Sequence, residues 1–216
     1  MLAVGRGVNI TLLSALDYAG VATFAASGAL VAAEKRQDVV TFLFFGAITG
    51  VGGGTLRDLL IGAPVFWVSD PGYSLVCLLM AVFVWLTRGR GLPRRALLWL
   101  DAVGLAVYAV MGAAKAYALG IPAPVCVVMG VLTATFGGVV RDALAGVPSV
   151  LLNREVYISA AIAGSTAYIL AVALGASSLL ATCLGIALGF GVRAGAILAG
   201  WHLPSFSPAR NADRDG

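Results

Sequence analysis

The sequence predicts an all-α integral membrane protein of seven transmembrane helices, built as two inverted three-helix repeats followed by a seventh helix. Two observations predict it. Of the 216 residues 60% are hydrophobic and 11% charged, a balance that excludes a water-soluble surface. The chain also matches itself without gaps at an offset of 84 residues, Leu16–Tyr73 against Leu100–Tyr157, with 18 of 58 positions identical. Three crossings per copy is an odd number, so the second copy must enter the bilayer from the opposite side, about an axis in the membrane plane.

The elements follow from apolar runs bounded by charges, Gly and Pro. Crossing a bilayer takes about 20 apolar residues, and the runs span approximately 11 to 33, 39 to 62, 73 to 87, 97 to 117, 122 to 146, 156 to 174 and 178 to 200. Repeat one occupies about 11–88, repeat two about 97–174 and the extra helix about 178–200, within a single transmembrane domain of residues 1–204. Residues 205–216 read as a disordered cytoplasmic tail. Lys35, Arg36, Arg88, Arg90, Arg94, Arg95, Arg154, Arg210 and Arg214 fall on one side, and the other offers little beyond Arg6 and Asp70. The positive-inside rule then puts the amino terminus outside and the carboxyl terminus in the cytoplasm. Fourteen Lys and Arg against ten Asp and Glu read as these loops rather than as a nucleic-acid surface. Cys77, Cys126 and Cys183 lie far apart in apolar runs without metal-ligand spacing and read as small core residues.

The most telling match is Gly53-Gly54-x-x-Arg57-Asp58-x-x-x-Gly62-x-Pro64 against Gly137-Gly138-x-x-Arg141-Asp142-x-x-x-Gly146-x-Pro148. Glycines cost a helix about 1 kcal/mol each relative to alanine. Gly52-Gly53-Gly54 and Gly137-Gly138 are therefore expected to break the second and fifth helices, and backbone freed at membrane depth lines a cavity. The competing reading is close helix packing on small residues. Arg57 and Asp58 are adjacent, so they point about 100° apart on a helix and are not expected to pair with each other. Depth counting instead places Asp17 near Arg57 in the outer half and Asp101 near Arg141 in the inner half. Two clusters are expected, Asp17/Arg57/Asp58 and Asp101/Arg141/Asp142, each with a net charge of minus one that would concentrate cations. The bland alternative makes Asp17 and Asp101 helix N-caps. Thr49 and Thr133, one turn before the glycines, either hydrate an ion or bond back to the helix. Lys115 either snorkels to the interface or serves as a gate or voltage-sensing charge, and Arg193 reads as an interfacial anchor. Gly185-x-x-x-Gly189 and Gly191-x-x-x-Gly195 permit close helix contact within or between protomers. No nucleophile with a base, metal-ligand set or phosphate loop is present, so neither an enzyme nor a metal or cofactor site is expected.

The motifs Gly-Gly-Gly-Thr-Leu-Arg-Asp at 52–58 and Gly-Gly-Val-Val-Arg-Asp at 137–142, within an inverted seven-helix duplication, resemble the prokaryotic trimeric intracellular cation channels. The resemblance covers residues 11 to 200. It implies a homotrimer in the bacterial inner membrane with one potassium-selective pore per protomer, lined by kinked second and fifth helices. The kinks map to Gly52, Gly53, Gly54, Gly137 and Gly138, and Phe136 stands where a third glycine would be. Expected partners are monovalent cations, membrane lipids and further copies of the chain. The alternative is a secondary transporter for a small zwitterion such as glycine, since inverted repeats also build carriers. A non-conducting scaffold is the third possibility.

Overall fold

The computed structural model describes residues 10–87, 95–148 and 156–202. Every element among them is helical: α1 (Ile10–Glu34), α2 (Val39–Leu60), α3 (Phe66–Ser69), α4 (Gly72–Leu86), α5 (Arg95–Ala118), α6 (Ala123–Leu144), α7 (Ile158–Ala173) and α8 (Ser178–Ala199). Five of these, α1, α2, α5, α6 and α8, are long and apolar enough to cross a membrane, while α4 and α7 are apolar but only 15 and 16 residues long. The proposed tail and most of the basic loop residues lie outside the described residues.

Local chemistry sets the helix ends. Asp38 caps α2 by accepting the Thr41 N–H at 2.9 Å, and Ser177 caps α8 through the Leu180 N–H at 3.3 Å, each satisfying a donor that a helix start leaves orphaned. Past α2 and α6 the chain turns at Gly62 (φ 67°) and Gly146 (φ 63°). These residues are 84 apart in sequence, and both hold a left-handed conformation that other residues resist. The one-turn helix α3 falls in what the sequence presents as a loop. It forms because the Asp58 carboxylate accepts the Phe66 N–H at 3.0 Å.

The duplication reappears as reciprocal contacts. A Cβ on Gly20 would meet the Tyr108 ring at 3.1 Å, and one on Gly104 would meet Phe24 at 3.0 Å. Phe24 and Tyr108, themselves 84 apart, stack at 5.4 Å. A Cβ on Gly53 would run into the Thr133 carbonyl, and one on Gly137 would run into the Thr49 carbonyl at 2.5 Å. In both pairs, advancing along one helix means retreating along the other, so α1/α5 and α2/α6 each cross antiparallel about one pseudo-two-fold axis. That is the inverted relation the odd crossing number demands.

The glycines do not break their helices. Both α2 and α6 run without interruption through Gly52–Gly54 and Gly137–Gly138, contrary to the expected breaks. A helix end inside the membrane leaves carbonyls without partners, whereas an intact helix with a bare Cα lets a neighbour's backbone approach. The same device builds the α7/α8 seam, where a Cβ on Gly185 would meet the Gly164 carbonyl at 2.8 Å and one on Gly189 the Gly164 Cα at 3.3 Å. Gly191 faces open space, so the two small-residue motifs of α8 divide, the first turned inward. Cys77 and Cys126 are buried as expected, but Cys183 is exposed on the outer face of α8.

Gly53→Ala and Gly137→Ala are each expected to lower stability by about 1–3 kcal/mol, because a methyl group must push a backbone carbonyl aside. Gly191→Ala is expected to change it by less than about 0.5 kcal/mol. Thermal unfolding of the purified protein in detergent checks the ordering, which fails if Gly191→Ala is as damaging as Gly53→Ala.

Candidate functional site

The last turns of α2 and α6 carry the duplicated arginine and aspartate, and the pseudo-two-fold axis sends them to opposite ends of the α2/α6 seam. All four side chains are buried: Arg57 is 3% exposed, Asp58 0%, Arg141 1% and Asp142 4%. Contrary to the expectation from helix geometry, each arginine pairs with its own neighbour. Arg57 Nε donates to Asp58 Oδ1 at 2.8 Å, and Arg141 Nε donates to Asp142 Oδ1 at 2.8 Å. The 100° offset describes Cβ directions, but an arginine carries three methylenes before Nε and folds back far enough to reach the adjacent carboxylate. Burial then removes the water that would compete for the bond.

At the Arg141 end, inner on the orientation expected from the sequence as the Arg57 end is outer, Arg141 Nη1 donates to Asp101 Oδ1 at 2.7 Å and to Ser27 Oγ at 3.1 Å. The expected Asp101–Arg141 pairing is present. Ser27 comes from α1 of the other repeat, is fully buried, and donates its own proton to the Phe24 carbonyl at 2.8 Å. Its bond to Arg141 ties α6 to α1. The duplication gives no sign of it, because Met111 stands at the matching position. Tyr157 lies beside this cluster, and the Arg193 guanidinium sits over its ring at 5.1 Å. Arg193 is 1% exposed, so it is a buried charge of α8 and not the interfacial anchor expected from its position.

The outer end is built differently. Asp17 accepts from the Tyr73 hydroxyl at 2.9 Å and makes no ion pair with Arg57. Both Asp17 and Asp101 lie inside their helices, which excludes the N-cap role. Lys115 reaches across from α5 and pairs with Asp58 at 2.8 Å, its side chain 34% exposed. With Arg57 and Lys115 against Asp17 and Asp58, the outer cluster is formally neutral, not minus one as expected. Arg57 also lies 5.9 Å from the centre of the Phe66 ring, a cation–π contact supplied by α3.

An aromatic lid closes this end. Tyr18 and Tyr73 stack at 4.2 Å, and Phe66 meets Tyr73 edge-on at 4.7 Å. The Tyr18 hydroxyl donates to Asp70 at 2.7 Å, and the Gly72 N–H donates to it at 2.9 Å. These two donors hold the Asp70 carboxyl below the usual carboxylate range. Such a lowered group favours the folded form above its ordinary pKa and loses that contribution as pH falls through the lowered value. Tyr73 and Tyr157 are identical in the two repeats, the one signal that marked the lid residue beforehand.

Between the ends lie Thr49 and Thr133, each buried at 1%. The Thr133 hydroxyl donates back to the Met129 carbonyl at 2.6 Å, whereas the Thr49 hydroxyl has no partner among the described residues. Phe136 is partly exposed. Gly54 lies under the Phe66 ring and Gly138 against the Tyr157 hydroxyl. Gly52, Gly53 and Thr133 thus meet Gly137 and Thr49 at the α2/α6 seam, which is closed by direct backbone contact at Gly53 and Gly137.

A sequence model of the family described as Glycine transporter matches residues 14–88 and 98–173, the two repeats themselves. The chain is 37% identical over 207 residues to a UPF0126 membrane protein of Vibrio cholerae, covering 93% of this chain and 85% of that one. It is 39% identical over 206 residues to the UPF0126 inner membrane protein YadS of Escherichia coli, covering 91% and 97%. Among solved structures, the TRIC trimeric intracellular cation channel orthologue from Rhodobacter sphaeroides aligns with a TM-score of 0.86 at 47% identity, covering 88% of this chain and 100% of that one. A prokaryotic TRIC channel solved in 0.5 M KCl aligns with a TM-score of 0.82 at 26% identity, covering 89% and 99%.

The two aspartates at matching places in the repeats differ in what they hold. Asp101→Asn strands part of the buried Arg141 charge and is expected to cost about 3–5 kcal/mol. Asp17→Asn keeps an acceptor for Tyr73 and is expected to cost no more than about 1.5 kcal/mol. Unfolding midpoints of the two variants in the same detergent test this; equal losses would contradict it.

Proposed function

The chain belongs to the prokaryotic TRIC cation channel family, whose sequence model is described as Glycine transporter, and from that membership we propose a homotrimeric channel for monovalent cations, potassium above all, with one pathway per protomer. In this reading seven helices cross the bacterial inner membrane, α4 and α7 included, with the amino terminus outside. The observation that carries it is the α2/α6 seam: two antiparallel helices in backbone contact at the centre, with a buried arginine–aspartate pair at either end.

Conduction requires that seam to part. When Gly53 and Gly137 separate from the opposing carbonyls, the oxygens exposed are those of Thr49 and Thr133, backbone and hydroxyl. Carbonyl and hydroxyl oxygens favour cations by replacing water in the ion's shell. Selectivity is thereby assigned to these oxygens, since the outer cluster is electrically balanced and cannot attract cations by net charge. Thr49, Gly52, Gly53, Gly54, Thr133, Phe136, Gly137 and Gly138 line the route, and the pairs at Arg57–Asp58 and Arg141–Asp142 frame its mouths.

Two links across the repeats hold it shut, Lys115 to Asp58 outside and Arg141 to Ser27 inside. Only Lys115 is substantially exposed. A charge crossing the whole membrane field gains about 2.3 kcal/mol per 100 mV, so even a fraction of that path biases a link of this size. Voltage therefore acts on the Lys115–Asp58 pair first.

Single-channel recording in a planar bilayer with asymmetric KCl tests the proposal. Discrete current steps reversing toward the potassium equilibrium potential are expected. The family model's description favours a second reading, a carrier of a small zwitterion, and saturable uptake without unitary steps would establish that instead. Lys115→Gln is expected to raise open probability at zero voltage several-fold and to flatten its voltage dependence; an unchanged voltage dependence would remove Lys115 from gating.

A further inference from the structure

We propose that Arg193, carried by the helix that lies outside the duplication, is the counter-charge of the inner end and so sets the charge of the inner mouth; its role at a mouth rests on the channel reading above. The observation behind it is a sum. Asp101 and Asp142 stand against Arg141, and these three groups add up to minus one. At the outer end the same excess is removed by Lys115 of α5, paired with Asp58 at 2.8 Å. The position matching Lys115 in the first repeat holds Val31, so the duplication supplies no second cation there.

The seventh long helix of the sequence reading, α8, supplies it instead. Arg193 is buried, and its guanidinium lies 5.1 Å from the centre of the Tyr157 ring. The hydroxyl of that tyrosine approaches Gly138 together with Arg141 and Asp101. A Cβ on Gly138 would lie 3.2 Å from Tyr157 Oη, 3.6 Å from Arg141 Nη2 and 3.7 Å from Asp101 Oδ1. Tyr157 thus reaches the cluster with its hydroxyl and Arg193 with its ring, and it lies within electrostatic reach of Asp101, Arg141 and Arg193 together. Two carboxylates then face two guanidiniums, and among the described residues the charges around this end sum to zero.

Packing brings the arginine to this place. One turn before it, a Cβ on Gly189 would meet the Ala160 carbonyl of α7 at 3.3 Å and the Ala106 Cα of α5 at 3.7 Å, so α8 comes close to both helices. Trp99 of α5 and Phe190 of α8, 6.2 Å apart, tie the same stretch together. The tyrosine also lacks the ring that covers its counterpart. Tyr73 is stacked by Tyr18, whereas the residue matching Tyr18 is Ala102, and the partner of the Tyr157 ring is a cation. An uncompensated carboxylate held out of water is costly. In an open pathway it would also gather cations at one mouth only. Arg193 removes both effects.

Single-channel current–voltage relations of the full-length protein in symmetric KCl test the charge at the mouth. Arg193→Gln leaves minus one at the inner end. Relative to the wild type, it is expected to favour cation flow entering from that side by about 1.5-fold or more in about 0.1 M KCl, and to lose the asymmetry in about 1 M, where charges are screened within about 3 Å. Arg193→Lys keeps the charge and is expected to match the wild type. No added asymmetry in Arg193→Gln at low salt, or the same asymmetry in Arg193→Lys, overturns the proposal. Thermal unfolding in detergent tests the counter-charge without currents. Asp101→Asn leaves plus one in the otherwise unchanged chain but zero in the Arg193→Gln background, so it is expected to lower the midpoint by less than half as much in the second; equal losses overturn the counter-charge. Should Arg193→Gln alone not fold, recovery of folding on adding Asp101→Asn is the expected result, and no recovery overturns the proposal. A folded wild type that carries no current overturns conduction alone, and the unfolding comparison then decides this proposal.

Discussion

A direct backbone approach, two glycines of antiparallel helices pressed onto two threonine carbonyls, governs the rest. Gly53 against Thr133 and Gly137 against Thr49 bring the α2 and α6 backbones nearer than any side chain would permit. Lipid gives helices little hydrophobic reason to associate, so contact distance and dispersion must supply it. Weak Cα–H to carbonyl interactions reinforce such approaches. Because the contact sits on the pseudo-two-fold axis, fixing it fixes both ends of the seam together. The arginine–aspartate pairs are buried at those ends because the helices bearing them cannot separate without losing the central contact.

Much of this was legible in the sequence, and the residues that were not legible share a cause. The sequence foretold the inverted relation of the repeats and the equivalence of Gly62 with Gly146 through its 84-residue offset, and the Asp101–Arg141 pair through depth counting. It misled over the glycines, because helix propensity measured in water counts what glycine loses as a free chain and not what its missing Cβ admits as a neighbour. It misled over Arg57 and Asp58 for a related reason, since angular bookkeeping treats a long side chain as its first bond. Ser27, α3 and the burial of Arg193 left no periodic trace. Each depends on an approach between segments far apart in sequence, which the repeat pattern does not encode.

Duplication produces two equivalent ends, and a handful of substitutions makes them unlike. Ser27 faces Met111 across the repeat, Phe24 faces Tyr108 and Val31 faces Lys115. At the inner end the first members leave a guanidinium bonded to three buried partners, Asp142, Asp101 and Ser27. At the outer end the second members give a neutral, partly exposed cluster whose cross-repeat link is a lysine on a flexible stem. The backbone symmetry survives all three exchanges, because each changes what a side chain offers and leaves the glycine contacts alone.

That separation of backbone from side chain bears on how a symmetric scaffold acquires direction. Were the two ends chemically identical, any potential or solute acting on one would act on the other with opposite sign, and the seam at the centre would feel no net bias. Unequal ends remove the cancellation. A field or a ligand that loosens Lys115 from Asp58 meets no equal response at Arg141, whose bonds to Asp101 and Ser27 lie out of reach of solvent. In the proposed channel, opening is thus driven from one side while the other holds register, and a few non-matching residues are what set the two ends of the inverted repeat apart.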